Sequence, residues 1–185
     1  MGNRAVITTR QKGIGIYLHW NGGRESIEAF LLYCKLKGYR RPESDSYGWA
    51  RLCQVISNFF GGGLSIGIGK YENLDIDNGD NGVYVIEDWK IVDRIYDDEP
   101  AGWQQDEEDL MTKLKAINES QPTEEQIDIE RELKRVRLIE RLESLAKHSK
   151  EDKEKAHVEA DKLLLEYLGD YEIKMTFESI GKWYA

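Results

Sequence analysis

The sequence predicts an α+β protein. It reads as an N-terminal antiparallel sheet with two helices, in the order ββααβββ, then a long acidic helix or helical hairpin and a C-terminal strand. Three observations carry this. Short β-branched and aromatic runs bracket two segments whose apolar residues recur at helical spacing. Of the 17 glycines, 15 lie at or before Gly102, so turn chemistry is concentrated in the first half. Residues 1–96 hold 12 basic and 11 acidic side chains, whereas residues 97–185 hold 14 and 24. Such a shift marks an architectural boundary, placed here in the run Asp97–Asp109, which has seven acids and no basic residue. The expected organisation is an α+β domain over 1–96, an acidic linker with a short helix over 97–121, and a helical extension with a C-terminal strand over 122–185.

Each element has a local reason. Residues 4–9 (RAVITT) and 14–20 (IGIYLHW) are strand-like, with Arg10–Gly13 as the hairpin connection. After Asn21-Gly22-Gly23, Ile27, Phe30, Leu31 and Cys34 fall on one helical face, and Gly38 supplies the stop. A second helix carries Trp49, Leu52, Cys53, Ile56 and Phe60 on one face and ends at Gly61-Gly62-Gly63. Leu64–Ile68 and Val83–Glu87 read as strands joined through the turn-rich DIDNGDNG, with Lys90–Tyr96 as a third. Further on, Thr123 and Gln126 suit a capping box. An apolar stripe then runs through Ile129, Leu133, Val136, Ile139, Leu142 and Ala146. It lapses around His148–Lys153 and resumes through Ala156, Ala160, Leu163, Leu164, Tyr167 and Leu168. A stripe this narrow on a polar helix must be covered, either by folding back or by pairing with another copy; a homodimer is the expectation. Tyr171, Ile173, Met175 and Phe177 alternate as a strand would.

Composition narrows the function classes. A formal charge of -9 with 40% hydrophobic residues is sufficient for one real core. No stretch approaches the roughly 20 apolar residues of a membrane span, and the first residues lack the apolar core of a secretory signal. Cys34 and Cys53 make no disulfide framework and no CxxC. The expectation is a soluble, cytoplasmic protein.

Little of the sequence points to catalysis or to a cofactor. Asp75, Asp77 and Asp80 resemble a calcium loop, but an EF-hand register begun at Asp75 puts Gly79 fifth and Ile86 twelfth, so the run reads as Asx-Gly turns. His19, His148 and His157 are widely separated, without ligand spacing. Both cysteines sit on apolar helix faces, where cysteine behaves as a small hydrophobe; only a Cys34–His19 dyad stands as an alternative. Gly61–Gly63 follows a helix, whereas a phosphate loop follows a strand. No metal, cofactor or catalytic residue is expected, and the protein reads as a binding protein.

Two binding surfaces are expected instead. Trp20, Asn21 and Arg24 surround a Gly-Gly turn at a helix start, where backbone N–H groups and the helix dipole favour an anion. Arg40, Arg41, Trp49 and Arg51 add cationic and π surfaces near the next helix start, so the two groups together would grip a phosphate-bearing ligand, DNA or RNA. The acids Asp97, Asp98, Glu99, Asp106, Glu107, Glu108 and Asp109 would instead imitate a phosphate backbone and occupy a basic groove on a protein partner.

The stretches GNRAVITT, GIYLHWNGGRESIEAFLLYCKLKGYR, YGWARLCQVISNFFGGGLSIG and DNGDNGVYVIEDWKIV resemble a family of small proteins carried by phages and conjugative elements of Gram-positive gut bacteria. The resemblance covers roughly the first 95 residues and leaves the acidic C-terminal part unmatched. It carries no catalytic residues. It implies a counter-defence role on a mobile element, the concrete candidate being a type II-A anti-CRISPR protein that inhibits Cas9. Cas9 holds guide and target in basic channels and rearranges before cutting, so an acidic protein can obstruct it without chemistry of its own. The alternative is a sponge that sequesters a cyclic nucleotide immune signal.

Overall fold

A computed structural model describes residues 2–61, 65–95, 106–148 and 152–180. Gly62, Gly63, Leu64 and Tyr96, expected at the ends of elements, lie outside the described residues. The chain divides into two compact units, Met1–Ile127 and Asp128–Ala185. The division therefore falls after residue 127, not within the acidic run.

The first unit is an α+β domain built on a five-stranded mixed sheet. Along the chain come β1 (Ala5–Thr9), β2 (Ile14–Leu18), α1 (Arg24–Leu36), α2 (Ser46–Phe59), β3 (Ile66–Lys70), β4 (Val83–Glu87), β5 (Lys90–Ile95) and α3 (Glu107–Glu119). In space the strands run β3-β2-β1-β4-β5. The β1–β2, β2–β3 and β4–β5 pairs are antiparallel, but β1 and β4 are parallel, with Val6 opposite Val83. The expectation of an antiparallel sheet is corrected on this point. DIDNGDNG does not close a hairpin between β3 and β4. It belongs to a connection over residues 71–82 that crosses three strand spacings, about 14 Å, to set β4 beside β1. Leu74, within that connection, packs on the flat surface left by Gly15, where a Cβ would stand 2.7 Å from its Cδ1.

The helices follow from their caps. Asp45 accepts hydrogen bonds from the amides of Tyr47 (2.8 Å) and Gly48 (3.3 Å) to start α2. Helix α1 ends in a Schellman turn: Gly38 N–H donates to Lys35 O, Tyr39 N–H donates to Cys34 O, and Gly38 takes φ +66°. The core gathers Ile7, Ile16, Leu18, Tyr84 and Ile86 from the sheet with Ile27, Phe30, Leu31, Leu52 and Ile56 from α1 and α2, all essentially fully buried. Phe30 meets Phe59 edge-on at 5.3 Å between ring centroids. Helix α3 joins this core through Leu114 and Ile117, so the segment expected as a linker helix is part of the first unit.

The second unit holds α4 (Ile129–His148), α5 (Lys153–Leu168) and α6 (Tyr171–Glu178). Helices α4 and α5 pack along each other and leave a shallow open groove lined by Leu142, Leu145, Ala146, Ala156, His157 and Ala160. The expected long helix or hairpin is thus, among the described residues, two helices, 129–148 and 153–168, packed on one another. Three expectations are corrected here. The capping box does not form: Thr123–Glu125 is a single 3-10 turn, and Gln126 donates its side-chain amide to Gln121 O instead. The long helix is not acidic, because α4 carries six basic and four acidic side chains. The tail is not a strand: Asp170 caps it by accepting from Ile173 N–H (2.9 Å), and residues 171–178 are helical although their apolar residues alternate. A strand pattern becomes a strand only where a sheet edge receives it.

Candidate binding surfaces

The HWNGG segment is shaped by close approach to β1. Asn21 has φ +53°, Gly22 N–H donates to Asn3 O at 2.8 Å, and a Cβ on Gly22 would press to 2.7 Å from Ala5 Cβ. Only glycine fits there. Gly23 caps α1 with its backbone alone, and the Glu25 carboxylate folds back against it. The chain's own acid therefore sits at the helix N-terminus, in the place expected for an external anion. Arg24 is likewise engaged, by Glu28 one turn on at 3.0 Å. Trp20 remains 45% exposed, its ring set edge-on against His19 at 4.9 Å, and His19 contacts Tyr17 Oη through Nδ1 at 3.2 Å.

The second group lies beyond the other end of α1. Arg40 stacks over the Tyr47 ring at 5.5 Å and pairs with Asp45 at 3.1 Å. Burial opposes ionisation of Asp45, but the bonds from Arg40 and from the Gly48 and Tyr47 amides outweigh it and lower its pKa. Arg41 lies between Glu43 (3.8 Å) and Asp88 (3.5 Å), and Arg51 covers the Tyr39 ring at 5.4 Å while donating to Gln54. Trp49 belongs to the core. The thirteen residues of α1 span about 18 Å, so the two groups form separate patches and not one grip.

Of the acids, Asp97, Asp98 and Glu99 lie outside the described residues. Asp106 caps α3, accepting from Glu108 N–H (2.9 Å) and Asp109 N–H (3.3 Å). Glu107, Glu108 and Asp109 form its first turn and, like Asp106, are exposed. Their charges complement the helix dipole.

Sequence reasoning missed a polar clamp that holds the end of α3 against α1 and α2. Lys37 Nζ lies 2.9 Å from the Glu125 carboxylate and donates to Glu125 O; Tyr39 Oη donates to the same carboxylate at 3.2 Å. Tyr33 Oη donates to Asn118 Oδ1, while buried Gln121 donates to Val55 O and accepts from Asn58. The phenol of Tyr39 is pushed up to about 12, first by burial and then by the Glu125 charge. The Lys37 hydrogen bond and charge hold the Glu125 carboxyl below its ordinary pKa. A depressed carboxyl stabilises the fold above the unfolded pKa and stops doing so as pH falls through the folded one. Glu125→Gln is accordingly expected to lower stability in urea at neutral pH, with the difference from the unsubstituted protein closing as pH falls below about 4. An unchanging difference across that range would show that the charge is not what the clamp uses. The spacing between Lys37 and Glu125, 88 residues, leaves no local signal.

The remaining sequence candidates are structural. In the 75–82 loop Arg4 supplies the positive charge: its Nε lies 2.7 Å from Asp80 and its NH1 3.9 Å from Asp75. That bond draws the Asp80 pKa down. Among the described residues, no group of three or more His, Cys, Asp and Glu is placed to hold a metal ion. Cys34 is fully buried and burial pushes its thiol pKa up strongly; Cys53 is raised to about 11 by the same cause. His19 precedes α1 and Cys34 lies near that helix's far end, so they form no dyad.

Fold and surfaces define an α+β protein with a mixed five-stranded sheet and an appended set of helices, and no helix among the described residues is long and apolar enough to cross a membrane. Comparison of the chain with protein-family models, with curated proteins and with solved structures finds no match.

Proposed function

We propose that this is a non-catalytic counter-defence protein of a mobile element, a stoichiometric inhibitor of the Cas9–guide RNA complex that blocks DNA binding or the rearrangement preceding cleavage. The setting comes from the sequence resemblance. The observation that carries the mechanism is the acidic start of α3. Asp106, Glu107, Glu108 and Asp109 are four consecutive exposed carboxylates on a helix anchored by buried Leu114 and Ile117. Fixed charges on a held helix are preorganised, so little ordering is lost when a basic channel receives them.

The test is titration of the purified protein into a reconstituted Cas9–guide cleavage reaction. Cutting falls near stoichiometric ratios, and Glu107→Gln, Glu108→Gln and Asp109→Asn together raise the inhibiting concentration at least about tenfold, since each lost contact between charges contributes about 0.5–1 kcal/mol at an exposed rim. Asp106 is kept because it caps the helix. Undiminished cutting by several Cas9 orthologues sinks the proposal.

One observation favours the nucleotide-sponge reading in that event. The Arg40–Tyr47 and Arg51–Tyr39 stacks stand together past the C-terminal end of α1, where a base and a phosphate would find both π and cationic surface. A nucleotide released on heating the purified protein, detected by mass spectrometry, would move that reading forward.

A further inference from the structure

The two edges of the five-stranded sheet, β3 and β5, differ in kind. On β5 the pairing with β4 shifts register at Val92, which has no opposite residue, and Lys90 and Asp93 put exposed charge along the strand. A bulge and charges are the ordinary devices that keep an edge from pairing with another chain. Strand β3 has neither: its register with β2 runs unbroken from Ile66 to Lys70, and Lys70 is its one charge. His19 N–H donates to Ser65 O at 2.8 Å and Tyr71 N–H to Gly13 O at 3.3 Å. Residues 65, 67, 69 and 71 therefore turn their backbone groups towards β2, and by alternation Ile66, Ile68 and Lys70 turn theirs outwards. Among the described residues, no other segment hydrogen-bonds the outward groups of Ile66 and Ile68. Both sides of the edge leave room for a further strand. Ile68, on the side that carries the helices, is 58% exposed, so α2 does not overhang it. Gly67 and Gly69 put no side chain on the other side, and nothing lies within 4 Å of a Cβ built on Gly67.

We propose that β3 is the edge through which a second copy of this chain binds, its own β3 added antiparallel about a two-fold axis at Ile68, so that the two sheets become one. Three features select a copy of the chain as the occupant. The outward groups are self-complementary. With Ile68 opposite Ile68 and Ile66 opposite Lys70, the two Ile68 residues exchange N–H and C=O, and each Lys70 N–H reaches the other copy's Ile66 O. The exposed Ile68 side chains cover one another at the axis. Charge is staggered, because this register sets the two Lys70 residues about 14 Å apart along the strands, whereas parallel pairing would place them side by side. The pairing also closes. The bulge and charges of β5 oppose the head-to-tail β3–β5 contact that would build a filament, so addition stops at two. A strand of five residues offers less than the ~800 Å² per partner of a standard interface, so the dimer is a weak one that dissociates on dilution. This inference is independent of the partner proposed above.

Sedimentation equilibrium on the full chain tests it, from about 1 to 300 µM. The expected result is a mass that rises with concentration to twice that of the chain and no further. Ile68→Lys raises the dissociation constant at least about tenfold, because it opposes two like charges at the axis. Val92→Lys, on β5, leaves it unchanged. Far-UV circular dichroism shows whether the variants are folded. Single cysteines in a Cys53→Ser background read the register. Ile68→Cys cross-links two chains on oxidation, because opposed Cα atoms lie about 5.5 Å apart, within disulfide reach. Ile66→Cys, about 14 Å from its counterpart, does not. If Ile68→Lys does not fold, the cysteine pair decides by itself. A monomer mass throughout the series overturns the proposal, as does an open-ended series of larger species. A dimer in which Ile66→Cys cross-links as fast as Ile68→Cys, or in which neither does, overturns the assigned edge.

Discussion

Gly48→Ala is expected to destabilise the first unit by about 3 kcal/mol or more, although glycine-to-alanine in a helix ordinarily gains up to about 1 kcal/mol. Gly48 lies in the first turn of α2, buried, with ordinary helical geometry. A Cβ there would stand 2.5 Å from Arg40 O, Arg41 C and Pro42 N, all backbone atoms of the segment joining α1 to α2. Backbone cannot swing aside as a flexible side chain does, so the segment and its ion pairs must move with it. At about 2–4 °C per kcal/mol for a chain of this size, the midpoint falls by roughly 6–12 °C. Gly67→Ala is the control, because nothing lies within 4 Å of its Cβ position and its φ is not in the left-handed region. Thermal unfolding followed by near-UV circular dichroism reads both. A neutral or stabilised Gly48→Ala would mean that the connection yields easily and that glycine is not required at this contact.

Asn78→Ala is expected to cost about 2–4 kcal/mol, the second largest effect. Asn78 is 2% exposed and organises the connection before β4. Its Oδ1 accepts from the amides of Asp80 (3.2 Å), Asn81 (3.2 Å) and Gly82 (3.1 Å), and its Nδ2 donates to Asp75 O and Gly82 O, both at 3.1 Å. Alanine removes five hydrogen bonds at once; Asn81 N–H still donates to Arg4 O and Gly82 O still accepts from Val6 N–H, but the Asp80 and Gly82 amides and Asp75 O lose their side-chain partner. Asn78→Asp separates the two halves of this network. It keeps the three accepted bonds but turns oxygen towards two carbonyls, so it should remain destabilised at neutral pH and recover partly as the carboxyl protonates. Hydrogen exchange at Asp80–Gly82 locates the loss: these amides should exchange faster than those of α1. If Asn78→Ala unfolds at the same urea concentration as the unsubstituted chain, the loop is held by Arg4 and Asp80 alone.

Both residues show how far the sequence could be read. The strands and the two N-terminal helices were legible because β-branched runs, helical spacing and glycine stops are local signals. So was the turn chemistry of DIDNGDNG, though not where the turn leads. Its Asx residues announce a change of direction equally well for a hairpin and for a crossover to a distant strand. The candidate site was legible only as residue types. Arg24, Arg40, Arg41 and Arg51 are where a cationic surface was expected, but Glu28, Asp45, Glu43, Asp88 and the rings of Tyr47 and Tyr39 occupy them. Residues 171–178 show the opposite failure, since period-2 alternation names a strand only if a neighbouring strand satisfies its backbone.

By itself the sequence determined the α+β class, the glycine-rich first half, the amphipathic helices and the uneven charge. All of these depend on residues within a few positions of one another. Only the tertiary structure decided that β1 and β4 run parallel, that α3 belongs to the first unit, and that Glu125 reaches Lys37. Those choices join residues tens of positions apart. The entropy of closing such loops grows only slowly with their length, so many pairings have similar closure costs, and side-chain packing and buried hydrogen bonds select among them.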